Sequence, residues 1–416
     1  MKFLAYTTPA RGDLYPVVPI LLELQRRGHA VVVRTAAAEI PRLRELGFTA
    51  DAVDPRIERI RHDDYLARSA VGAIKRAIRV MSARGEFEVD DLQKAIESEA
   101  PDVLLMDGNA RAAIAAAEAW GGPWALLQHF PSPLPDDGVP PFGPGFPPAR
   151  GWLGRMRDRM LRPLILGGFE RVLLPPLNDV RRSLGLRPVR DVTDLYTLAP
   201  LTLYLTSTAF EYPRESWPDS FCFTGPILWE PPVDEPDWLD AVRRPVVLVT
   251  TSSEFQDDGA LVETALAGLA DEDCGVVATM PTGSIPHQVP ANAHVEGFVP
   301  HTPLLKIAEV AVTHGGMGAT QKALSAGVPV VVVPWGRDQS EVGRRAETAG
   351  VGVLLPKRRL SPRALRDAVA RARTLGPAAS AFADAMKREG GARLAAERLE
   401  QLATRDKPVH HAPHAG

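Results

Sequence analysis

A glycine-rich stretch that begins at His314 carries the clearest potential for chemistry. Residues 310–313 before it are apolar and predict a short buried strand, and residues 320–325 after it predict a helix. Glycines between a strand and a helix leave free N–H groups near the positive end of the helix dipole, which favours a phosphate. Glycine also admits an anion without a Cβ clash, although glycines alone fit an ordinary turn equally well. The residues predicted to bind phosphate are His314, Gly316, Gly318, Ala319 and Thr320.

Residues 328–333 predict the next strand, and a second polar loop follows it. It contains Trp335, Asp338 and Gln339. Ligands of open α/β sheets bind beyond the carboxyl ends of the strands, which is where this loop lies. A carboxylate and an amide suit the hydroxyl groups of a sugar, so these residues are predicted to bind one. The alternative is an ordinary acid–amide pair on the surface.

Three further polar side chains also follow predicted strands. Asp13 comes after the first strand, Asp107 ends the strand at residues 103–106, and Ser253 follows the strand at residues 246–250. Carboxylates and hydroxyls at this edge of a sheet can serve as a base or bind diphosphate. Spacing alone favours a turn residue for Asp13. A helix N-cap is the alternative for Asp107, and a capping serine is an equally common interpretation of Ser253.

The composition is that of a globular protein of two or three domains. The chain has 416 residues and a net charge of −3, so no global field attracts nucleic acid or an anionic membrane. No apolar run approaches the roughly 18–20 residues of a spanning helix. Cys222 and Cys274 are expected as reduced thiols of a cytoplasmic protein. We predict no metal site, because the Asp-x-Asp pattern at residues 271–273 fits a solvated turn.

The alternation of strand and helix patterns predicts parallel, doubly wound α/β sheets. Residues 131–150 are rich in proline and glycine and predict a lid, a binding loop or a disordered loop. Residues 152–167 and 171–184 predict two helices. Their apolar side chains are interpreted as core, the alternative being the wall of an acceptor cleft. Those side chains are Met156, Met160, Leu161, Leu164, Ile165 and Leu166.

Motifs in a fixed order give the sequence a resemblance to a known superfamily. They are Val295-Glu296-Gly297-Phe298-Val299-Pro300-His301, Leu304-Leu305, Thr313-His314-Gly315-Gly316, Gly327-Val328-Pro329, Pro334 and Asp338-Gln339. Together they resemble the nucleotide-sugar signature of the UDP-glycosyltransferases. The resemblance is closest to the bacterial natural-product branch, which glycosylates macrolides, glycopeptides and other lipophilic metabolites. It runs from about residue 2 to about residue 400.

The resemblance implies a GT-B fold, in which two Rossmann-like domains face each other across a cleft. It implies inverting, metal-independent transfer of a hexose from a UDP- or dTDP-sugar, with UDP-glucose favoured, to a hydroxyl of a lipophilic acceptor. The sugar nucleotide is a co-substrate, so no cofactor is expected. A nucleotide-sugar epimerase and a non-catalytic auxiliary protein of the same fold are the alternatives. The expected oligomeric state is a monomer or weak dimer.

The resemblance also implies roles and boundaries. Asp13 is the general base, because one branch carries the Gly-Asp-x-x-Pro pattern of residues 12–16. Asp107 lies where histidine-containing relatives have an aspartate that orients the imidazole, but here two carboxylates would repel each other. The nucleobase is expected to contact Phe298, Val299 and His301. The implied divisions are an acceptor-binding domain (1–225), a proline-rich linker (226–245), a nucleotide-sugar domain (246–390), a helix that packs back on the first domain (391–405) and a disordered tail (406–416).

Overall fold

The first domain is built on a seven-stranded parallel sheet. The computed structural model describes residues 1–405, so the tail predicted at 406–416 lies outside the described residues. The strands are β1 (Lys2–Tyr6), β2 (Ala30–Thr35), β3 (Thr49–Ala52), β4 (Val103–Asp107), β5 (Trp124–Gln128), β6 (Leu201–Tyr204) and β7 (Phe221–Phe223). Their order in the sheet is β3-β2-β1-β4-β5-β6-β7. Because helices cover both faces, the strands are nearly continuous apolar runs.

Seven α-helices accompany this sheet in the part of the chain that the structure describes. They are α1 (Arg11–Leu14), α2 (Val18–Arg26), α3 (Ile40–Glu45), α4 (Pro55–Arg59), α5 (Ala70–Glu99), α6 (Arg111–Trp120) and α7 (Gly151–Ser183). The single turn of α1 lies within residues 9–16, which the sequence predicts as a loop. Its consequence is that Asp13 sits in a helical turn directly after β1.

The second domain repeats the design with a six-stranded parallel sheet. Its strands are β8 (Val246–Thr250), β9 (Gly275–Thr279), β10 (Ala293–Glu296), β11 (Ala308–Thr313), β12 (Val330–Val332) and β13 (Gly352–Leu354), in the order β10-β9-β8-β11-β12-β13. Its helices are α8 (Ala260–Leu269), α9 (His301–Leu305), α10 (Met317–Ser325), α11 (Gln339–Thr348), α12 (Pro362–Arg373) and α13 (Gly376–Lys387). The prediction of two parallel, doubly wound α/β domains is confirmed. No helix within residues 1–405 has both the length and the apolar character that crossing a membrane requires.

The last helix, α14 (Gly391–Arg405), returns the chain to the first domain. Its apolar residues Ala395, Ala396 and Leu399 are fully buried in the same core as α2 and one face of the first sheet. Polar side chains at the edge of this contact are also paired: Glu400 accepts hydrogen bonds from Arg27 and from His29. The chain therefore crosses between the domains twice, and α14 fixes the second crossing by apolar burial.

Helix α7 departs from the sequence prediction in two ways. It is one helix rather than two, because Leu173 and Leu177 bury against α5 and this packing outweighs the weak helix propensity of the glycines at 167–168. The interpretation of its first half as core is wrong for Met156, Met160 and Leu164, which are 47%, 64% and 71% exposed. The other three apolar residues, Leu161, Ile165 and Leu166, are half-buried. The structure therefore leaves one face of this half of α7 uncovered.

Buried charges join the two domains beside the cleft. The guanidinium of Arg345 on α11 lies 2.8 Å from Glu341 of the same helix and 2.9 Å from Glu211 of the first domain. It also donates to the carbonyl oxygen of Ser132 at 3.1 Å. All three charged side chains are buried, so each needs the others to compensate for its lost hydration. The pairing holds α11 against the first domain.

The proline-rich loop at 131–150 spans the same boundary. The amides of Gly143 and Gly145 both donate to Glu341 Oε1, at 2.8 and 2.9 Å. Gly145 has a φ of +67°, and a Cβ at this position would lie 2.6 Å from the carbonyl oxygen of Ser340. Only glycine fits both requirements. The loop starts in the first domain and is held by the second.

Candidate active site

Three titratable side chains meet where β1, β4 and β5 end. These strands are neighbours in a parallel sheet, so the residues that follow them share one edge. Asp13 comes after β1, Asp107 is the last residue of β4, and His129 directly follows β5. His129 Nε2 lies 2.7 Å from Asp13 Oδ1, and His129 Nδ1 lies 3.8 Å from Asp107 Oδ1. The imidazole thus stands between two carboxylates.

Neutral hydrogen bonds hold Asp13 in place. The Thr8 hydroxyl donates to Asp13 Oδ2, and the side-chain amide of Asn109 donates to Asp13 Oδ1 at 3.3 Å. Thr8 and Asn109 lie in the loops after β1 and β4. With His129, these contacts orient the carboxylate from three elements of the sheet edge.

The side chain of Asp107 links the loops after β1 and β4, because it accepts hydrogen bonds from a backbone amide in each loop. One carboxylate oxygen accepts from the Thr8 amide at 2.9 Å and the other from the Asn109 amide at 3.0 Å. It does not cap α6, whose N-cap residue is Ala110. The repulsion expected between Asp13 and Asp107 is relieved because His129 lies between them. Asp107 is therefore near the imidazole of His129, a residue that the sequence analysis did not identify.

The charges of this cluster shift its protonation states. Burial lowers the pKa of His129, but the neighbouring carboxylate of Asp13, and then that of Asp107, outweigh burial and raise it to about 9. Burial raises the pKa of Asp13, but the His129 imidazolium more than offsets this and holds it below its usual value. Burial and the charge of Asp13 raise the pKa of Asp107 to about 6. At neutral pH the imidazole is charged and Asp13 is a carboxylate.

The glycine-rich stretch lies at the start of α10 in the second domain. The helix begins at Met317, three residues earlier than predicted, with Gly316 as its N-cap and no side-chain cap. The Thr320 amide donates to the Gly316 carbonyl, so the uncapped first turn consists of residues 317–319. Gly318 is exposed and Ala319 is partly exposed, whereas the Thr320 side chain is buried. The backbone N–H of Thr320 is therefore already bonded within the helix and is not free to donate to a phosphate.

His314 stands beside this helix terminus. A Cβ at Gly316 would lie 2.4 Å from His314 Nε2, so glycine at 316 makes room for the imidazole as well as for an anion. Burial lowers the pKa of His314 to about 4. At neutral pH its ring is therefore uncharged, and it can offer an N–H donor to a phosphate rather than a positive charge.

The loop after β12 faces the first domain. Burial raises the pKa of Asp338, and the His129 imidazolium lies near enough to counteract this. Asp338 therefore lies on the side of its domain that faces the Asp13–His129–Asp107 cluster. Arg337 reaches across it to Asp64 of the first domain, with 3.2 Å between Arg337 Nε and Asp64 Oδ2. Trp335 stays with its own domain, where its indole N–H donates to the Asp257 carbonyl at 3.0 Å.

Gln339 is engaged within the protein. Its Oε1 accepts from the amides of Trp335 and Gly336 at 2.7 and 3.0 Å, and its Nε2 donates to Gln256 Oε1 at 2.6 Å. Gln256 in turn donates to the Ser252 hydroxyl at 2.8 Å. These bonds shape the loop and connect it with the loop after β8. Contact between Gln339 and a sugar remains a prediction.

The remaining residues that are predicted to bind the sugar nucleotide differ in their exposure to solvent. Ser253 is exposed in the loop after β8, and Phe298 is 50% exposed. Val299 is buried in the core. His301 is half-buried, 3.2 Å from the Thr279 hydroxyl, and desolvation lowers its pKa to about 4. Phe298 is therefore the most exposed of the predicted nucleobase residues.

Comparisons with known proteins identify the family. Residues 263–403 match the model of the erythromycin biosynthesis protein CIII-like C-terminal domain. The 4'-demethylrebeccamycin synthase of Lentzea aerocolonigenes is 34% identical over 384 residues, which cover 88% of this chain and 90% of that protein. The chain belongs to the natural-product glycosyltransferases. A PGL/p-HBAD biosynthesis glycosyltransferase of Mycobacterium tuberculosis is 33% identical over 290 residues, or 67% of this glycosyltransferase and 64% of that one.

Solved structures share the fold of this glycosyltransferase over nearly its whole length. The calicheamicin glycosyltransferase CalG4 superposes with a TM-score of 0.74 at 20% identity, covering 98% of this chain and 99% of that one. The glycotransferase of kitacinnamycin gives a TM-score of 0.73 at 22% identity, covering 96% and 98%. The two parallel α/β domains therefore form a GT-B fold.

The Asp13–His129–Asp107 cluster of the glycosyltransferase also has the donor set of a metal site. Among the described residues, Asp13, Asp107 and His129 could each turn a ligand atom toward one ion. Here His129 and Asp13 bond to each other, and backbone amides occupy both oxygens of Asp107. An ion would have to replace these bonds. In the Asp-x-Asp turn, Asp273 pairs with Arg243.

His129 is the site residue that the sequence analysis missed. One signal could have found it: His129 directly follows a predicted strand, at 125–128, of the sheet that carries Asp13 and Asp107. In a parallel sheet, a polar residue at that position points to the same edge.

Proposed function

We propose that this enzyme transfers a hexose, with UDP-glucose the favoured donor, to a hydroxyl group of a lipophilic acceptor with inversion at the anomeric carbon. The observation that carries the proposal is the cluster of Asp13, His129 and Asp107 at one sheet edge, with Asp338 of the second domain near enough for its charge to interact with that of His129. This arrangement supports a carboxylate base in one domain and a sugar-binding loop in the other. We expect the enzyme to act in the cytoplasm as a monomer or weak dimer.

The reaction would be a single displacement. The acceptor oxygen attacks the anomeric carbon on the face opposite the diphosphate, a new C–O bond forms, and the bond to the departing nucleotide breaks. Asp13 takes the hydroxyl proton as the attack proceeds. The start of α10 and the neutral imidazole of His314 stabilise the charge that collects on the diphosphate. Asp338 orients the sugar hydroxyls in the cleft.

A donor and acceptor screen tests the function directly. Purified enzyme is incubated with UDP-glucose or dTDP-glucose and a panel of phenols, macrolides and terpenoids, and products are sought by mass spectrometry. A product heavier by one hexose supports transfer, and NMR of its anomeric proton shows whether the configuration is inverted. Conversion of the sugar nucleotide without acceptor indicates an epimerase. Absence of any product across the panel favours an auxiliary role.

His314→Ala is expected to weaken UDP binding by roughly 30- to 140-fold. A hydrogen bond to a charged group contributes about 2–3 kcal/mol, and each 1.4 kcal/mol is a tenfold change in affinity. Calorimetric titration with UDP measures the change. His287→Ala, which removes an exposed histidine of the same domain, is the matched control and should bind UDP like the native enzyme. An unchanged dissociation constant in His314→Ala excludes His314 from the phosphate site.

Activity is expected to survive removal of divalent ions. The helix terminus and His314 would carry the diphosphate charge, and in the cluster His129 and Asp13 already bond to each other. Turnover in excess EDTA should stay within about twofold of the untreated rate, since no metal-bound water or Lewis acid is required. Loss of activity that magnesium or manganese restores would contradict this prediction and assign an ion to the cluster.

A further inference from the structure

The first half of α7 carries a continuous apolar stripe on the protein surface. Its members lie at positions i, i+1, i+4, i+8 and i+12, which fall on one side of a helix over roughly 18 Å. They are Trp152, Leu153, Met156, Met160 and Leu164, with exposed fractions of 68%, 58%, 47%, 64% and 71%. Single exposed apolar residues are ordinary, but a contiguous row of five, including tryptophan, marks an interaction surface.

The opposite side of this helix segment is already occupied. Arg162 donates to the carbonyl oxygens of Asp136 and Val139, at 3.1 and 2.8 Å. Arg157 donates to the Pro147 carbonyl at 2.7 Å and pairs with the buried carboxylate of Asp158. These bonds attach the proline-rich loop to α7. They also fix the orientation of the helix, so the stripe stays on the outside.

The exposed charges of this helix segment have one sign, while Asp136 and Asp137 of the proline-rich loop line the same surface pocket as Arg155 and Arg159. Residues 150–171 contain six arginines and two acids. Both acids are withdrawn from the surface, because Asp158 is buried and Glu170 is half-buried and accepts from the Val192 amide. The fully exposed charged side chains of this segment are all arginine: Arg150, Arg155, Arg159 and Arg171. The net charge of −3 for the whole chain therefore hides a locally basic surface.

We propose that the first half of α7 docks on an anionic lipid bilayer. An amphipathic helix with tryptophan and leucine on one face and arginine beside them lies in the plane of a membrane, with its apolar side among the acyl chains and its cations at the headgroups. A second copy of the chain fits less well, since a twofold interface would bring the same arginines face to face. The charge of the surface thus selects lipid over self-association.

Sedimentation with vesicles tests the proposal on the full chain. The native protein is expected to sediment with vesicles of phosphatidylcholine and phosphatidylglycerol, to bind pure phosphatidylcholine much more weakly, and to dissociate as salt is raised. Arg155→Glu/Arg159→Glu should weaken partitioning by at least roughly 30-fold, because each cation near the surface contributes about a fivefold factor. Leu164→Glu should weaken it too, by placing a charge in the apolar stripe.

Two exposed sites away from α7 provide matched controls. Val233→Glu puts the same charge on an exposed apolar residue of the linker, and Arg363→Glu reverses an exposed arginine on α12. Both should bind vesicles like the native protein. UDP affinity measured by calorimetry shows that each variant is folded, and it does not depend on vesicle binding.

Three outcomes overturn the proposal. One is a native protein that does not sediment with anionic vesicles. Another is equal loss of binding in the controls and in the α7 variants, which would mean a general charge effect. The third is a native dimer, measured by analytical ultracentrifugation, that Leu164→Glu converts to a monomer, since the stripe would then be a contact between copies. None of these results depends on the identity of the sugar acceptor, so the proposed function stands or falls separately.

Discussion

Replacing Asp13 with asparagine is expected to lower turnover by about 10²- to 10⁴-fold, the usual contribution of general base catalysis. The amide is nearly isosteric: its oxygen can accept from His129, and its NH2 group can donate to the Thr8 hydroxyl oxygen, so the local structure should persist. It has no carboxylate to take the proton of the acceptor hydroxyl. Turnover with a neutral alcohol acceptor at saturating donor measures the effect.

The pH dependence makes this test specific. The imidazolium of His129 holds the pKa of Asp13 below its usual value, so the native carboxylate is present across the neutral range and is lost only under acidic conditions. The acid limb that Asp13 produces in the native profile should be absent from the asparagine variant. UDP affinity is the control for folding and should not change. A variant that keeps more than about a tenth of native turnover would show that the proton goes elsewhere.

Replacing His129 with asparagine is expected to move the acid limb upward by about 1–3 pH units. An opposite charge within hydrogen-bonding distance lowers a carboxylate pKa by about that amount, and Asp13 loses this charge in the variant. Its pKa then rises, and the carboxylate becomes protonated at a higher pH. At pH values below both the native and the variant acid limb, kcat/KM of His129→Asn should be lower than that of the native enzyme by about 10- to 10³-fold. The measurement is kcat/KM across pH.

Asn109→Ala is the matched control for His129. Both substitutions remove a hydrogen bond to Asp13 Oδ1, but only the loss of His129 also removes a positive charge. The limb should therefore stay near its native position in Asn109→Ala. Asp107, with a pKa raised to about 6, titrates in the same window, and Asp107→Asn separates its contribution. If the acid limb shifts equally in the His129 and Asn109 variants, His129 acts on Asp13 only as a hydrogen-bond partner and not through its charge.

The acceptor-side cluster differs from the pattern expected of relatives. There a histidine stands after the first strand and an aspartate after the fourth; here a carboxylate follows β1 and the imidazole comes from β5. A histidine is thus present in the same small volume but enters from a different strand. In the proposed mechanism Asp13 takes the acceptor proton, and we expect His129 to act through Asp13 by setting its charge and orientation. Asp107 supports both by holding the loops after β1 and β4 together.

Much of the fold could be predicted because its signals are local. The apolar runs at 246–250 and 310–313 specify buried strands, and the turns between them specify parallel connections. The glycines after residue 313 mark a strand-to-helix passage whatever surrounds them. The order of motifs from 295 to 339 then identifies the family, since it depends only on the position of residues along the chain.

Contacts between distant elements required the tertiary structure. The apolar spacing on α7 is the same for a helix that is buried and for one with a bare face, so only its neighbours could decide that Met160 is exposed. Likewise, an amide such as Gln339 suits a sugar or a loop equally well, and the backbone positions of Trp335 and Gly336 decide that it closes a loop here.

The sequence by itself determined the two-domain α/β architecture, the glycine-rich turn between a strand and a helix at His314, and a carboxylate after the first strand. The partner of that carboxylate was decided by the order of strands in the sheet. His129 lies 116 residues from Asp13 along the chain, yet β4 alone separates their strands. Spacing in sequence carries no information about this neighbourhood, whereas sheet order brings the carboxyl ends together and makes the imidazole a charge partner of Asp13.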